Sequence, residues 1–290
     1  MRKGALAAGY VKMNDGSCVL VGQFILKYGN NGLWYGTFTH FDKLSIKHGV
    51  SSRLGGTSKE PFASLNLGLH TGDQDEDVVA NRRLFCKAIG IDLEDVVTAE
   101  QLHTDKVVVV TAKDIGKGAK QYSEAIPAVD ALVTNAAGIP LLLCFADCVP
   151  VLIVDPVCHA IGVVHAGWKG TVEKIAQKAI IAMKDNFGTN PQDCLVGIAP
   201  SIGPCCYIVN EIVVEELKKQ FENWEQLVRP HGDKWYFDLW KANSMQLEQI
   251  GVLRSNIAVS GVCTACNNDL FFSYREDNGR TGRMGALIML

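Results

Sequence analysis

Ile161-Gly162-Val163-Val164-His165-Ala166-Gly167-Trp168-Lys169-Gly170-Thr171-Val172 is the stretch on which the fold turns. Its first four residues form an apolar, β-branched run, the signature of a buried strand. Beyond it, Val172, Ile175, Ala176, Ala179, Ile180 and Met183 recur every three or four residues, which predicts an amphipathic helix. Thr171 is placed to cap that helix, and Lys184 with Gly188 marks its end. Strand, glycine-rich turn and helix follow one another, so His165 falls at the C-terminal end of a strand, where open α/β sheets bind ligands. The turn is not a P-loop. Its N–H groups and Lys169 could face an anion at the helix start, although a plain strand-to-helix turn is the simpler reading.

Working outward, Leu141 to Phe145, Val151 to Val154 and Leu195 to Ile198 read as further buried strands. Val96 to Ala99 and Val107 to Thr111 predict short strands on either side of His103. Helices are expected over Glu76 to Ala88, ended by Gly90, over Glu211 to Phe221 and over Phe237 to Ile250. Ile257 to Val262, Phe271 to Tyr274 and Ala286 to Met289 read as closing strands. Residues 18 to 40 predict a β-hairpin about Gly29-Asn30-Asn31-Gly32. Lys47 to Ser58, with Arg53-Leu54-Gly55-Gly56, reads as a loop, as do residues 112 to 128 with Gly116, Gly118 and Pro127. There is no repeat and no charged linker, so a single domain of mixed α and β is expected.

A chain of 290 residues, 48% of them hydrophobic, can bury a sizeable core in one large domain. A net charge of -3 gives no footprint for nucleic acid or for an anionic membrane. The longest apolar run, Ile139 to Val154, is broken by Asp147 and Pro150 and does not read as a membrane span. Met1 to Tyr10, charged at Arg2 and Lys3, lacks the apolar stretch of a signal peptide. The ten cysteines are dispersed and often lie in apolar segments (Cys86, Cys144, Cys194), which suits reduced thiols and a cytoplasmic location. Cys263 and Cys266 have C-x-x-C spacing without a second such pair, so a structural reading outweighs a zinc ribbon. The neighbours Cys205 and Cys206 are poorly placed for a disulfide with each other.

His103, Cys148 and His165 each sit where an apolar segment gives way to small or polar residues. Two imidazoles and one thiolate suit zinc, and three protein ligands leave a fourth tetrahedral position open, which implies catalysis. The three are far apart in sequence, so the fold must assemble any such site. Taken singly, a cysteine in an apolar run is usually a small hydrophobe, and a histidine at a strand end is usually just hydrogen-bonded. Asp147, next to Cys148, is a candidate proton shuttle or an anchor for a metal ligand. Arg53, Lys169 and Arg275 are candidates to bind phosphate; a guanidinium does so in bidentate fashion. A second reading makes Cys148 a nucleophile with His165 as its base. G-x-S-x-G, Walker A and G-x-G-x-x-G motifs are absent from the sequence.

Several motifs taken together resemble the laccase-domain, YfiH-type family of purine nucleoside phosphorylases. They are Ser52-Arg53-Leu54-Gly55-Gly56-Thr57-Ser58 with Ser64-Leu65-Asn66-Leu67-Gly68, Gln101-Leu102-His103, Ala146-Asp147-Cys148-Val149-Pro150, and His165-Ala166-Gly167-Trp168-Lys169-Gly170. Gly203-Pro204-Cys205-Cys206-Tyr207, Phe272-Ser273-Tyr274-Arg275 and Thr281-Gly282-Arg283 extend the likeness. It covers residues 45 to 290 and leaves 1 to 44 as an N-terminal β-hairpin extension. The resemblance implies an α+β fold: mixed sheets face to face with helices outside, a four-layer α/β/β/α sandwich. It implies zinc on His103, Cys148 and His165, which with Asp147, read from its place beside Cys148, make up the candidate catalytic set. It implies phosphorolysis of adenosine, inosine and guanosine, cleavage of methylthioadenosine and deamination of adenosine, so the expected partners are purine nucleosides and phosphate. The chain departs from the family at Lys169, where arginine is common, and at Ile208, where glutamate is common. The family name also suggests a copper polyphenol oxidase, with Cu2+ on the same three ligands as the alternative cofactor. Multicopper oxidases rely on His-X-His pairs, and the chain's seven histidines form none.

Overall fold

The computed structural model describes residues 10–12, 18–20, 23–29 and 31–290. Residues 1–9 of the segment read against a signal peptide lie outside the described residues, as do Val21 and Asn30 of the expected hairpin. The first half of the chain contributes strands β1 (Tyr10–Lys12), β2 (Cys18–Leu20), β3 (Phe24–Tyr28), β4 (Trp34–Phe38), β5 (Lys47–Ser51), β6 (Val107–Val109), β7 (Ala131–Thr134) and β8 (Leu141–Phe145). The second half adds β9 (Val149–Asp155), β10 (Ala160–Ala166), β11 (Leu195–Ile198), β12 (Ile208–Val209), β13 (Val228–His231), β14 (Lys234–Phe237), β15 (Ile257–Val259) and β16 (Met284–Met289). The α-helices are α1 (Asp75–Ile89), α2 (Trp168–Val172), α3 (Ile175–Phe187), α4 (Glu211–Gln220) and α5 (Leu239–Gln249).

The side-chain alternation of β9 and β10 sets the layers. The two strands pair antiparallel from Val149 opposite Ala166 to Asp155 opposite Ala160. Val149, Val151, Ile153, Val164 and Ala166 pack toward Ile175, Ala176, Ala179, Ile180 and Met183 of α3. Their neighbours Leu152, Val154, Ile161 and Val163 face the opposite way, against Leu141, Leu143, Phe145, Ala286 and Ile288 of the other large sheet. Both faces are therefore buried, which is why these strands read as unbroken apolar runs. The first sheet runs β1-β2-β3-β4-β5-β16-β8 and the second β15-β11-β9-β10-β7-β6, with a small β12-β14-β13 sheet beside them. On the far side of the first sheet, Leu142, Cys144 and Leu287 meet Phe85 and Cys86 of α1. The result is the expected α/β/β/α sandwich, with α2 to α5 as the second outer layer. Phe38 is fully buried between the sheets. A Cβ on Gly197 would come within 2.5 Å of its ring, so glycine is needed there. Truncating Phe38 to alanine would cost about 3–5 kcal/mol.

Several local expectations are corrected. The Lys47 to Ser58 loop begins as β5, because His48 is buried and its Nε2 accepts the Phe38 N–H at 2.8 Å. Phe271 to Tyr274 is not a strand. Phe271 and Phe272 are buried from irregular backbone, where the Phe272 N–H meets the Met284 sulfur at 3.0 Å. Val96 to Ala99 makes only isolated bridges, Val97 to Leu141 and Ala99 to Ile126. The helix after His165 is two helices, divided at Lys174 with φ 60°, so Thr171 lies inside α2 rather than capping α3. Gly188 ends α3 in the left-handed conformation, as expected. The hairpin β3–β4 continues the first sheet past β5, and Phe24 and Leu26 enter the core between the sheets.

Candidate metal centre and active-site cavity

Strand parity aims His165 at the gap between the sheets, on the same face of β10 as Ile161 and Val163. There its ring meets Phe145, the last residue of β8, with centroids 5.3 Å apart. The turn from β8 to β9 carries Asp147 in the left-handed conformation (φ 80°), and Cys148 follows it. His103 arrives from a loop, also left-handed (φ 59°). Such backbones cost about 1–3 kcal/mol each in non-glycine residues and persist where surrounding contacts fix them.

For His103, Asp130 is that fixing contact. Its carboxylate is fully buried at the head of β7. One oxygen accepts the His103 N–H at 3.1 Å and pairs with His165 Nδ1 at 2.8 Å. The other accepts the Thr104 N–H at 2.7 Å and the Thr104 hydroxyl at 2.9 Å. The Asp130 carbonyl takes the His165 N–H at 2.7 Å. A single acidic residue thus orients both histidines and leaves His165 Nε2 free, the carboxylate–histidine arrangement that supports metal ligands.

The donors of His103, Cys148 and His165 all lie within 4.8 Å of one another, and Cys148 Sγ is 3.7 Å from His103 Nε2. A tetrahedral zinc with ordinary Zn–S and Zn–N lengths separates sulfur from nitrogen by about 3.6 Å, so the residues fit the ion. Gly167 makes room for them: a Cβ there would stand 2.9 Å from His103 Cδ2 and 3.0 Å from Cys148 Sγ. Electrostatics agree. Burial alone would raise the Cys148 thiol, but His165 and His103 outweigh it and bring it down to about 6. Burial alone would lower His165, but Cys148 and Asp130 raise it to about 9. Without metal the pair is a thiolate and an imidazolium at neutral pH, and a cation would displace the proton on His165.

The three ligands lie on the wall of a cavity of about 580 Å³, within the range that takes a small-molecule ligand. Asp147 lines it as well, its carboxylate accepting the Thr264 hydroxyl at 2.6 Å and the Arg275 N–H at 2.7 Å. Burial pushes Asp147 above the usual carboxylate range despite these donors. Arg275 lines the cavity too, its guanidinium over Tyr207 and bonded to the Ile208 carbonyl at 3.2 Å. The Ile208 side chain brings no charge to that guanidinium. The other arginine candidate, Arg53, is not among the residues lining the cavity. Its guanidinium holds Ala63 O at 3.0 and 3.1 Å and Asn268 O at 2.7 Å, and lies over Phe272. Lys169 opens onto a neighbouring groove that shares His103 and Trp168 with the cavity.

Other groups at the cavity had no site role in the sequence reading, although Arg283 and Gln101 stand in its motifs. Arg283, over the Tyr274 ring, is held by the Thr281 and Gly282 carbonyls at 2.8 and 3.0 Å. His70 also lines the cavity; burial, then Arg283 and Arg82, lower it to about 4, so it is neutral at pH 7. Gln101 clamps Cys144 with a two-way amide bond, 2.8 Å in each direction, and so ties the His103 loop to β8. The signal for Asp130 was a lone carboxylate directly ahead of the apolar run Ala131 to Val133.

Comparison with known proteins gives the family. A profile described as multi-copper polyphenol oxidoreductase laccase matches residues 47–290. The chain is 44% identical over 242 residues to purine nucleoside phosphorylase YlmD of Geobacillus stearothermophilus, covering 83% of this chain and 88% of that protein. It is 34% identical over 227 residues to adenosine deaminase RL5 from an unknown prokaryotic organism, covering 78% and 86%. The crystal structure of the Bacillus licheniformis hypothetical protein YfiH superposes with a TM-score of 0.87 at 35% identity, over 91% of this chain and 98% of that one. With two imidazoles and a thiolate converging on one cavity wall of this sandwich, the chain belongs to the laccase-like YfiH family.

Proposed function

We propose that this chain is a zinc-dependent purine nucleoside phosphorylase for adenosine, inosine and guanosine that also cleaves methylthioadenosine and deaminates adenosine. The observation that carries the reading is the His103–Cys148–His165 donor set beside two arginines in one nucleoside-sized cavity. The relatives' names, a phosphorylase and an adenosine deaminase, support it. When bound, zinc would supply Lewis acidity and an acidified water in this cavity. Phosphorolysis forms a bond from a phosphate oxygen to ribose C1′ and breaks the C1′–N9 bond. The base leaves with the bonding pair and takes up a proton. Arg275 and Arg283 each rest on a tyrosine ring, so their planes are held ready for an anion. Asp147, raised above the usual range, can hold the proton that the departing purine needs. Lys169 is better placed to steer phosphate from the neighbouring groove than to bind it in the cavity, and Arg53 serves as a clamp for its own loop. Among the described residues, only two of the seven histidines join a ligand cluster, which leaves a multicopper centre without donors.

The test is an assay with adenosine and inosine, with and without phosphate, separating free base from deaminated nucleoside. Phosphate-dependent release of base, lost on chelation and restored by zinc, is expected. Turnover that ignores both phosphate and zinc overturns the proposal. One observation favours a second reading: Cys148, His165 and Asp130 form a thiolate–imidazolium pair braced by a carboxylate. That reading requires chelated protein to stay active and alkylation of Cys148 to abolish the activity.

A further inference from the structure

We propose that Cys205, Cys206, Cys263 and Cys266 bind a second zinc ion in a closed four-thiolate site that staples together two loops of the cavity wall. Their sulfurs all lie within 4.8 Å of one another. Cys266 Sγ is 3.5 Å from Cys205 Sγ and 3.4 Å from Cys206 Sγ. Four sulfurs around a tetrahedral zinc stand about 3.8 Å apart, whereas a disulfide needs about 2.05 Å. Two pairs of cysteines remote in sequence have been brought to the spacing of a metal site.

Local backbone explains how each pair presents two sulfurs. Gly203-Pro204-Cys205-Cys206 is a β-turn closed by the Cys206 N–H on the Gly203 carbonyl at 3.0 Å, with proline at its second position. Cys263 to Cys266 is a single helical turn, in which the Asn267 N–H reaches the Cys263 carbonyl at 3.1 Å. Residues at i and i+3 of such a turn share a face. The Gly203 N–H donates to the Cys263 sulfur at 3.2 Å, the kind of outer bond that supports a thiolate ligand. Packing does not explain the cluster, because Cys205 and Cys266 are exposed and half of the group is not core. Without a cation the crowding of sulfurs opposes ionisation of Cys205 and Cys206: desolvation within the cluster, then Cys263 and Cys266, push Cys205 up to about 12, and Cys206 is raised as well. A dication removes that penalty, and the thiol protons pass to solvent on binding.

The site adjoins the cavity on one side of the staple and reaches it through one hydrogen bond on the other. Cys206 precedes Tyr207, on which Arg275 rests. The other turn holds Thr264, whose hydroxyl donates to Asp147. A bound ion would therefore fix Tyr207 and Asp147 without touching the His103–Cys148–His165 donors. Whether the second ion is present is independent of the reaction catalysed beside it.

The test is metal content of protein purified under reducing conditions with zinc, together with cobalt(II) spectra. Two zinc ions per chain are expected, falling to one in Cys266→Ser and to one in Cys148→Ala. The single cobalt in Cys148→Ala should show the intense sulfur-to-cobalt absorption of a four-thiolate centre. If Cys266→Ser does not fold, the cobalt spectrum of Cys148→Ala decides alone. Loss of all metal in Cys148→Ala, or an intact mass showing a disulfide within the four cysteines of freshly reduced protein, overturns the proposal.

Discussion

Replacing Asp130 with asparagine isolates the contribution of one buried carboxylate to the metal centre. The side chain keeps its size and loses one acceptor. Its two oxygens together accept four donors: the N–H groups of His103 and Thr104, the Thr104 hydroxyl and His165 Nδ1. If the new amide NH2 faces His165, the imidazole must move its proton to Nε2, the nitrogen that would bind metal. If it faces Thr104, the Thr104 N–H loses its partner in a part-buried place, at about 1 kcal/mol, the low end for an unsatisfied donor. The second orientation is milder for the site, so a stability loss of that size is expected with the fold retained. His165 also loses the negative charge facing Nδ1 that makes its ring a better donor. Changes of this kind cost about 10–100-fold in metal affinity, or about 1.4–2.7 kcal/mol at 1.36 kcal/mol per tenfold. Zinc affinity measured by competition with a chromogenic chelator, beside urea unfolding of both proteins, reads the two effects separately. Zinc affinity within twofold of the parent would refute the role given to Asp130.

Gly167→Ala adds a Cβ on permitted backbone (φ −66°) where only 2.9 to 3.0 Å is free beside His103 and Cys148, so zinc affinity should fall at least about tenfold with little change in unfolding midpoint. Unchanged affinity by the same competition would show that the donors have slack. Near pH 7.5 the metal-free Cys148–His165 pair holds one proton, on His165, so zinc binding should release about one proton from it. The count should rise toward two below pH 6, where Cys148 is also protonated, and fall toward zero above pH 9; calorimetry in buffers of differing ionisation enthalpy measures it. Arg53→Ala should cost about 2–3 kcal/mol in urea unfolding, since it strips the Ala63 and Asn268 carbonyls of their donor, and should leave phosphate KM unchanged. Arg283→Ala should raise phosphate KM about tenfold or more in steady-state assays, and the opposite pattern in the two variants would exchange their roles.

The central strands and α3 were legible because both faces of β8, β9 and β10 are buried and their residues are apolar without interruption. His165 was legible for a related reason: it ends one of those runs and keeps its parity. β5 was not, because Lys47, His48 and Gly49 carry no apolar pattern although four of its five residues are buried. Phe271 and Phe272 misled in the other direction, since a pair of buried aromatics says nothing about backbone pairing. Among site residues, the motifs carried the proposed metal donors but not their support. Asp130 works through contacts with residues distant in sequence, which no local pattern records, whereas Arg283 stood in a quoted motif that by itself says nothing of a cavity. The same holds for the cysteine pairs, each of which reads as unremarkable until the fold brings them together. Arg53 shows the converse, for a glycine-rich loop can place an arginine to hold the loop itself.

Anomalous diffraction at the zinc edge from crystals of the zinc-loaded protein tests the metal centre most directly. A peak is expected bonded to a nitrogen of His103, to His165 Nε2 and to Cys148 Sγ, at about 2.0–2.1 Å and 2.3 Å, with no protein atom at the fourth position. A zinc-loaded crystal with no peak among these residues, or with a fourth protein ligand closing the ion, would contradict it.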